Sequence, residues 1–141
     1  MPDCCMNITL RTTDLERFRQ AAGLDEAGWW NTLDETGTPG VVKTGIDEAD
    51  RGWEDERSAA AKAGIPFVGD HGWRNGCCPM AFAAVGGDML EAPIDEDGWL
   101  VVRVDRDLEP IDDRHELWKF VELERMAKKT LGISTGEDDD A

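Results

Sequence analysis

The sequence has no tyrosine, only two histidines, five lysines among its 15 basic residues, and no apolar run near the roughly 20 residues that a membrane span requires. The shortage of cations is the most informative of these. Against 31 Asp+Glu it leaves a formal charge of -16, which repels phosphate backbones and anionic lipid, so direct nucleic-acid binding and membrane binding are excluded as expectations. The opening Met1-Pro2-Asp3-Cys4-Cys5-Met6 has neither a basic n-region nor an apolar h-region, and a cytoplasmic location is expected. The four cysteines form two adjacent pairs, Cys4-Cys5 and Cys77-Cys78, and lack the Cys-x(2–4)-Cys spacing of zinc knuckles. No G-x-G-x-x-G or G-x-x-x-x-G-K-[ST] loop is present to cradle a phosphate.

What is present is enough to fold. With 40% hydrophobic residues in 141 positions, the chain has the material for one core and the length of one domain, so it reads as a folded acidic protein and not an acidic disordered one. Residues 6–12 alternate Met6, Ile8, Leu10 with polar neighbours, the period of a half-buried strand. Asp14 is a candidate cap for a helix over 15–22, with Gly23 as its stop. A second short helix is expected over 24–33, carrying Trp29 and Trp30, and a third over 47–63, with Asp47 as cap and Gly64-Ile65-Pro66 ending it. Strands are expected at 65–69, 79–85, 88–94 and 99–105, with Gly86-Gly87 as a hairpin turn and Leu100, Val102 and Val104 facing a core. Asp113 and Glu116 form a capping box for a final helix that carries Leu117, Trp118, Phe120, Val121, Leu123, Met126 and Leu131. Residues 134–141 have no apolar anchor and read as a disordered acidic tail. The expected architecture is a single α+β domain over 1–133, a mostly antiparallel sheet of four or five strands covered by two or three helices.

The negative charge is concentrated. Residues 91–113 hold nine acids against Arg103 and Arg106, and 47–57 hold six against Arg51 and Arg57. If 47–63 is helical, Asp47, Asp50 and Glu54 share one face and repel one another by a few tenths of a kcal/mol per pair. Like charges gathered at a cost invite a functional reading, in which carboxylates stand in for nucleic-acid phosphates on a basic groove. The plainer alternative is a salt-adapted or solubilising coat, which 18 Asp against 13 Glu and a scarcity of Lys also fit.

Other chemistry is weaker. A metal site from Cys4, Cys77, Cys78 and His71 requires the first strand to pair with the 79–85 strand, and adjacent cysteines in an extended chain point to opposite faces. The simpler reading is one small buried hydrophobe in each pair. A Cys77 or Cys78 nucleophile with His71 and Asp70 has no local signature, and both histidines read as surface or cap residues. The run Asp95-Glu96-Asp97-Gly98 lacks the series of a calcium loop and reads as a turn. Of the six tryptophans, Trp53, Trp99 and Trp118 fit core positions, while Trp29 and Trp30 are candidate aromatic anchors in an acidic rim.

The expected function is therefore non-enzymatic: an inhibitor or adaptor, without cofactor, that binds a basic nucleic-acid-binding protein through Asp47, Asp50, Glu54, Asp95, Glu96, Asp97, Asp105, Asp107, Glu109, Trp29 and Trp30. By class analogy alone, small acidic proteins of this kind are typical of viral and mobile-element anti-defence factors, including anti-CRISPR proteins; no residue motif matches a named family.

Overall fold

The computed structural model describes residues 3–25, 28–50, 53–72, 79–95, 97–102, 104–109 and 114–133. Strand β1 (Asp3–Arg11) forms as its alternation predicts, with Met6, Ile8 and Leu10 buried on one face. A single 3₁₀ turn, Thr12–Asp14, leads into helix α1 (Leu15–Ala22). Asp14 precedes α1 but makes no capping bond; its Oδ1 accepts from Arg17 at 2.7 Å instead.

Two helices expected from the sequence are corrected. The described residues of 24–33 are not helical: Trp29 and Trp30 lie on a connection, and β2 (Thr32–Glu35) follows as a fully exposed edge strand. Residues 47–63 split, with β3 (Val41–Asp50) extending through the first acids and α2 (Glu54–Lys62) starting only after Trp53, whose left-handed backbone (φ 54°) separates the two. The reason lies upstream of that window, where Val42, Thr44 and Ile46 recur at period two, two of them β-branched aliphatics and the third a threonine, and all turn toward the α1 side of the sheet. Thr44 is wholly buried, its hydroxyl donating to the Ile8 carbonyl at 2.9 Å.

Strands β4 (Phe67–His71), β5 (Met80–Val85) and β6 (Asp88–Pro93) form a meander, β5 and β6 joined by Gly86-Gly87 with both φ positive, as a two-residue hairpin requires. The described residues of the expected 99–105 strand do not form one. Among the described residues after β6, Ile94 bridges to Leu100 and Val101 N donates to the Pro93 carbonyl at 3.0 Å. Leu100, Val102 and Val104 consequently stay exposed, against the expected core role. Helix α3 (Arg114–Leu131) closes the described chain; Asp113 of the expected capping box and the 134–141 tail lie outside the described residues.

The sheet is antiparallel throughout, in the order β2-β3-β1-β4-β5-β6, so it has six strands where the sequence led us to expect four or five. Helices α1 and α2 cover one face, over a core of Met6, Ile8, Leu10, Phe18, Trp29, Ile46, Phe67 and Phe82. Helix α3 covers the other, setting Phe120, Ala127 and Leu131 on Val68, Ala83 and Ala92. Its opposite side leaves Trp118 and Met126 exposed, so Trp118 is not the core residue the pattern implied. All three helices end on a left-handed glycine followed by an apolar residue, Gly23-Leu24, Gly64-Ile65 and Gly132-Ile133, with paired bonds back to the last turn.

Candidate functional site

The antiparallel register collects chain ends at one end of the sheet. Asp3 pairs with Asp50, Met6 with His71, His71 with Met80, and Met80 with Pro93. β3, β4 and β6 therefore finish where β1 and β5 begin. Asp47 and Asp50 sit in the last residues of β3, Glu54 opens α2 just beyond, and the 95–99 turn leaves β6 at the same end. Four strand spacings, roughly 19 Å, separate the two acid groups laterally. The three acids of 47–54 do not share a helix face, because two of them are on a strand.

The acids after β6 fall into two turns of identical build. In 95–99 the Asp95 amide donates to the Trp99 carbonyl (2.9 Å), the Gly98 amide donates back to the Asp95 carbonyl (3.1 Å), and Asp95 Oδ1 accepts from the amides of Asp97 and Trp99, both at 2.9 Å. In 105–109 the Asp105 amide donates to Glu109 (2.9 Å), the Leu108 amide to Asp105 (3.0 Å), and Asp105 Oδ1 accepts from Asp107 (2.8 Å) and Glu109 (3.0 Å). The fourth residue of each is left-handed, Gly98 at φ 86° and Leu108 at φ 65°. Asp95 and Asp105 are thus turn-building residues, their carboxylates engaged by backbone amides. The Asp97 and Asp107 carboxylates have no hydrogen-bond or ion-pair partner among the described residues. Between the turns runs an exposed apolar ribbon, Trp99 (72% exposed), Leu100, Val102 and Val104, continued by Leu108 (77%) in the second turn. Trp99 was expected in the core and is instead, after Leu108, the most exposed large apolar side chain among the described residues.

Beside the first turn is a cavity of about 500 Å³ lined by Asp70, His71, Gly72, Pro79, Ile94, Asp95, Asp97 and Gly98. His71 is not the loop or surface residue its neighbours implied. It is the last residue of β4, 7% exposed, and its Nδ1 is buried with no hydrogen-bond partner of good geometry among the described residues. Burial and the nearby Arg57 charge hold the imidazole below its ordinary pKa and so keep it neutral. Asp70 accepts from Asn7 Nδ2 at 2.8 Å across the β1–β4 pair.

Behind His71 lies a cation that sequence reasoning missed. Arg57 of α2 is 1% exposed, its guanidinium 4.2 Å above the Phe82 ring and 3.2 Å from Glu91 Oε1. Burial lowers its pKa while Glu91 raises it, and the arginine stays charged. Phe82 in turn lies over Gly69, where a Cβ would approach Phe82 Cζ to 2.7 Å and the Asn7 carbonyl oxygen to 2.1 Å. The only sequence signal for this stack is a glycine in mid-strand opposite a phenylalanine.

The remaining candidates divide. Trp29 is 8% exposed, stacked on Phe18 at 4.9 Å with its Nε1 donating to the Leu15 carbonyl at 3.2 Å, and Trp30 packs edge-on against it. Trp29 is therefore core and not an exposed anchor. Trp53 joins the same cluster, 5.8 Å from Trp29. The premise of the metal site fails, since β4 stands between β1, which carries Cys4, and β5. Cys77, Cys78 and Glu96 lie outside the described residues, and among the described residues no three His, Cys, Asp or Glu are grouped to hold a metal ion. Cys5 is an exposed free thiol. No described helix is long and apolar enough to cross a membrane. The arrangement offers carboxylates, one neutral imidazole and exposed apolar surface. No protein-family model, curated protein or solved structure matches this chain.

Proposed function

We propose that this protein is a non-enzymatic acidic binder that occupies the basic, nucleic-acid-binding surface of another protein and inhibits it by presenting carboxylates in place of phosphates. The observation that carries the reading is the shared exit of Asp47, Asp50, Glu54, Asp95 and Asp97 from one end of the sheet, with the Trp99–Val104 ribbon alongside. An acid row gives fast, salt-sensitive association, and an exposed aromatic within it supplies the desolvated anchor that such interfaces use. Asp105, Asp107 and Glu109 extend the acid rim to the ribbon's other end. By class analogy the role is that of an anti-defence inhibitor of the anti-CRISPR type.

The test is capture on the immobilised protein followed by elution with duplex DNA or RNA. The expected result is that the retained proteins are basic nucleic-acid binders, that nucleic acid releases them, and that the Asp47→Lys, Asp97→Lys, Asp107→Lys triple variant retains none of them. These three carboxylates are exposed and build no turn, so the fold should survive. Capture that the triple variant leaves intact, or that nucleic acid does not release, overturns the proposal. A second reading, a salt-adapted coat, is favoured by exposed acids on the helices as well, such as Glu16 on α1 and Glu116 on α3. It requires a melting temperature that climbs steeply toward molar salt.

A further inference from the structure

We propose that the outer edge of β6, with the groove between β6 and α3, takes an extended segment of the protein's partner, part apolar and part basic, as a seventh strand; the proposal rests on the binding reading above. β6 ends the sheet, and among the described residues no strand pairs with its outer side. Two bonds fix which backbone groups face outward. The Ile94 amide donates inward, to the Pro79 carbonyl just before β5, and the Pro93 carbonyl accepts from the outside, from Val101. Alternation along the strand then turns the backbone groups of Leu90 and Ala92 toward β5 and aims the N–H and C=O of Met89 and Glu91 outward. Val101 is a first rung on this edge. Among the described residues the chain adds none beyond it, which leaves Asp88 to Ala92, roughly 17 Å of strand, open.

An open edge alone is common in a small sheet. The second observation is the groove beside it, a cavity of about 270 Å³ whose apolar wall is Met89 and Leu90 of β6 with Leu123 and Met126 of α3. Met126 is 58% exposed, and unbranched methionines adapt to apolar side chains of varied shape. A strand laid on the edge would bond Met89 and Glu91 through its backbone and drop alternate side chains into the groove, the way strand addition joins affinity to selectivity. The opposite edge is guarded: β2 has four residues, all exposed, and Asp34 and Glu35 are acids, which discourage pairing. On β6 the Glu91 carboxylate is drawn instead to Arg57, beneath α2. Charge then chooses the occupant. Asp88 and Glu122 line the groove with no ion-pair partner among the described residues, while Lys119, which also lines it, lies 3.3 Å from Glu116. With a charge of -16 on the chain, a second copy or an acidic segment is repelled, and a segment carrying both apolar and basic side chains suits wall and rim together.

The probe is a short capped peptide that alternates leucine with lysine, titrated into the isotope-labelled full chain and followed by NMR and amide hydrogen exchange. Two isomers of equal charge, N-methylated on the leucine nitrogens or on the lysine nitrogens, and a leucine–glutamate counterpart serve as comparators. The proposal expects saturable binding at about 0.1–1 mM, at least about tenfold slower exchange at the outward Met89 and Glu91 amides, and little change at Leu90, which already faces β5. A strand puts only one of the two nitrogen sets against β6, so one methylated isomer should lose binding and the other keep it within about twofold. Met126→Lys, at an exposed position, should fold and weaken the peptide at least about fivefold. Methylated isomers that bind alike, as a helical or a purely electrostatic ligand would, overturn the proposal. So do equal binding of the glutamate peptide, indifference to Met126→Lys, or no saturable binding. Protection of Met89 and Glu91 that grows with protein concentration in the absence of peptide assigns the edge to a second copy and overturns it too. If the peptide fails while the triple lysine variant still abolishes nucleic-acid-released capture, the strand site is wrong and the binder reading stands. If the peptide binds and capture ignores the triple variant, the reverse holds.

Discussion

Two regions of this molecule handle charge and apolar surface in opposite ways. Beneath α2, a cation is almost wholly buried: Arg57 lies on Phe82, against Glu91, and the apolar side chains around it are covered. In the ribbon after β6 the apolar side chains are in water, and Asp95 and Asp105 build turns while the Asp97 and Asp107 carboxylates have no partner among the described residues. The first arrangement is what a fold does to hold itself together. The second contributes little to folding, because neither Trp99 nor Leu108 buries enough area to stabilise anything in the isolated chain. Among the described acids, then, some hold the fold together and others contribute nothing to it, and the two regions show the two cases side by side.

The sharpest way to break the comparison is at Arg57. Arg57→Ala should lower the unfolding free energy by about 3–5 kcal/mol, because it strands Glu91 and opens a gap over Phe82. Arg57→Met, which keeps the stem and its packing, should cost distinctly less, and urea denaturation of the two variants tests both. A loss below about 1 kcal/mol for the alanine variant would make the pair no different from a surface ion pair. The same substitutions test His71. Its folded-state pKa is depressed, so the unfolded chain takes up a proton first as pH falls below about 6.5. Stability should be full above that pH and decline below it, before the carboxylates begin to titrate. In Arg57→Met the repelling charge is gone and the decline should be shallower.

Within the ribbon, the turns predict a split between acids that look alike in the sequence. Asp95→Ala removes the acceptor of two backbone amides and should cost about 0.5–2 kcal/mol, the scale of a lost cap, whereas Asp97→Ala should fall within about 0.5 kcal/mol of wild type. Equal effects would erase the distinction between builder and presented charge. Leu108→Gly sharpens it from the other side. Gly98 occupies the equivalent left-handed position of the sister turn without strain, and a left-handed leucine carries a penalty of about 1–2 kcal/mol, so the glycine variant should gain up to about 1 kcal/mol in thermal or urea unfolding. A leucine kept there against its backbone preference is consistent with a surface role.

Much of the architecture was legible because periodicity and punctuation agreed. β1, α1, the Gly86-Gly87 hairpin and α3 each combine an apolar period with a stop or turn residue at the right place. β3 was misread because its Val42-Thr44-Ile46 alternation runs into Asp47–Ala49–Asp50, whose acids and alanine resemble a helix start; the break at Trp53 comes from a backbone conformation that no composition announces. β2, exposed along its length, has no buried face to leave a pattern. The clustering of acids was visible, but their sorting into builders and free carboxylates was not, since it depends on which amides each oxygen meets. His71 and Arg57 were invisible as a unit because β4 and α2 are joined only in the folded core.

Trp99 is where the comparison is finally decided, because the expected effect on stability is the smallest and the expected effect on binding is not. At 72% exposure its indole contributes almost no burial, and only its backbone amide and carbonyl, which Trp99→Ser retains, take part in the 95–99 turn. Trp99→Ser should therefore unfold within about 0.5 kcal/mol of wild type. If the ribbon is an interface, the indole becomes its buried anchor only in the complex, where losing an aromatic hot spot costs about 2 kcal/mol or more, near thirtyfold in affinity. Titration of a captured partner with the wild-type and Trp99→Ser proteins measures that ratio directly. A thirtyfold loss at unchanged stability identifies the ribbon as a surface kept for another molecule. An unchanged affinity would leave the acids to bind alone, with the apolar ribbon outside the contact.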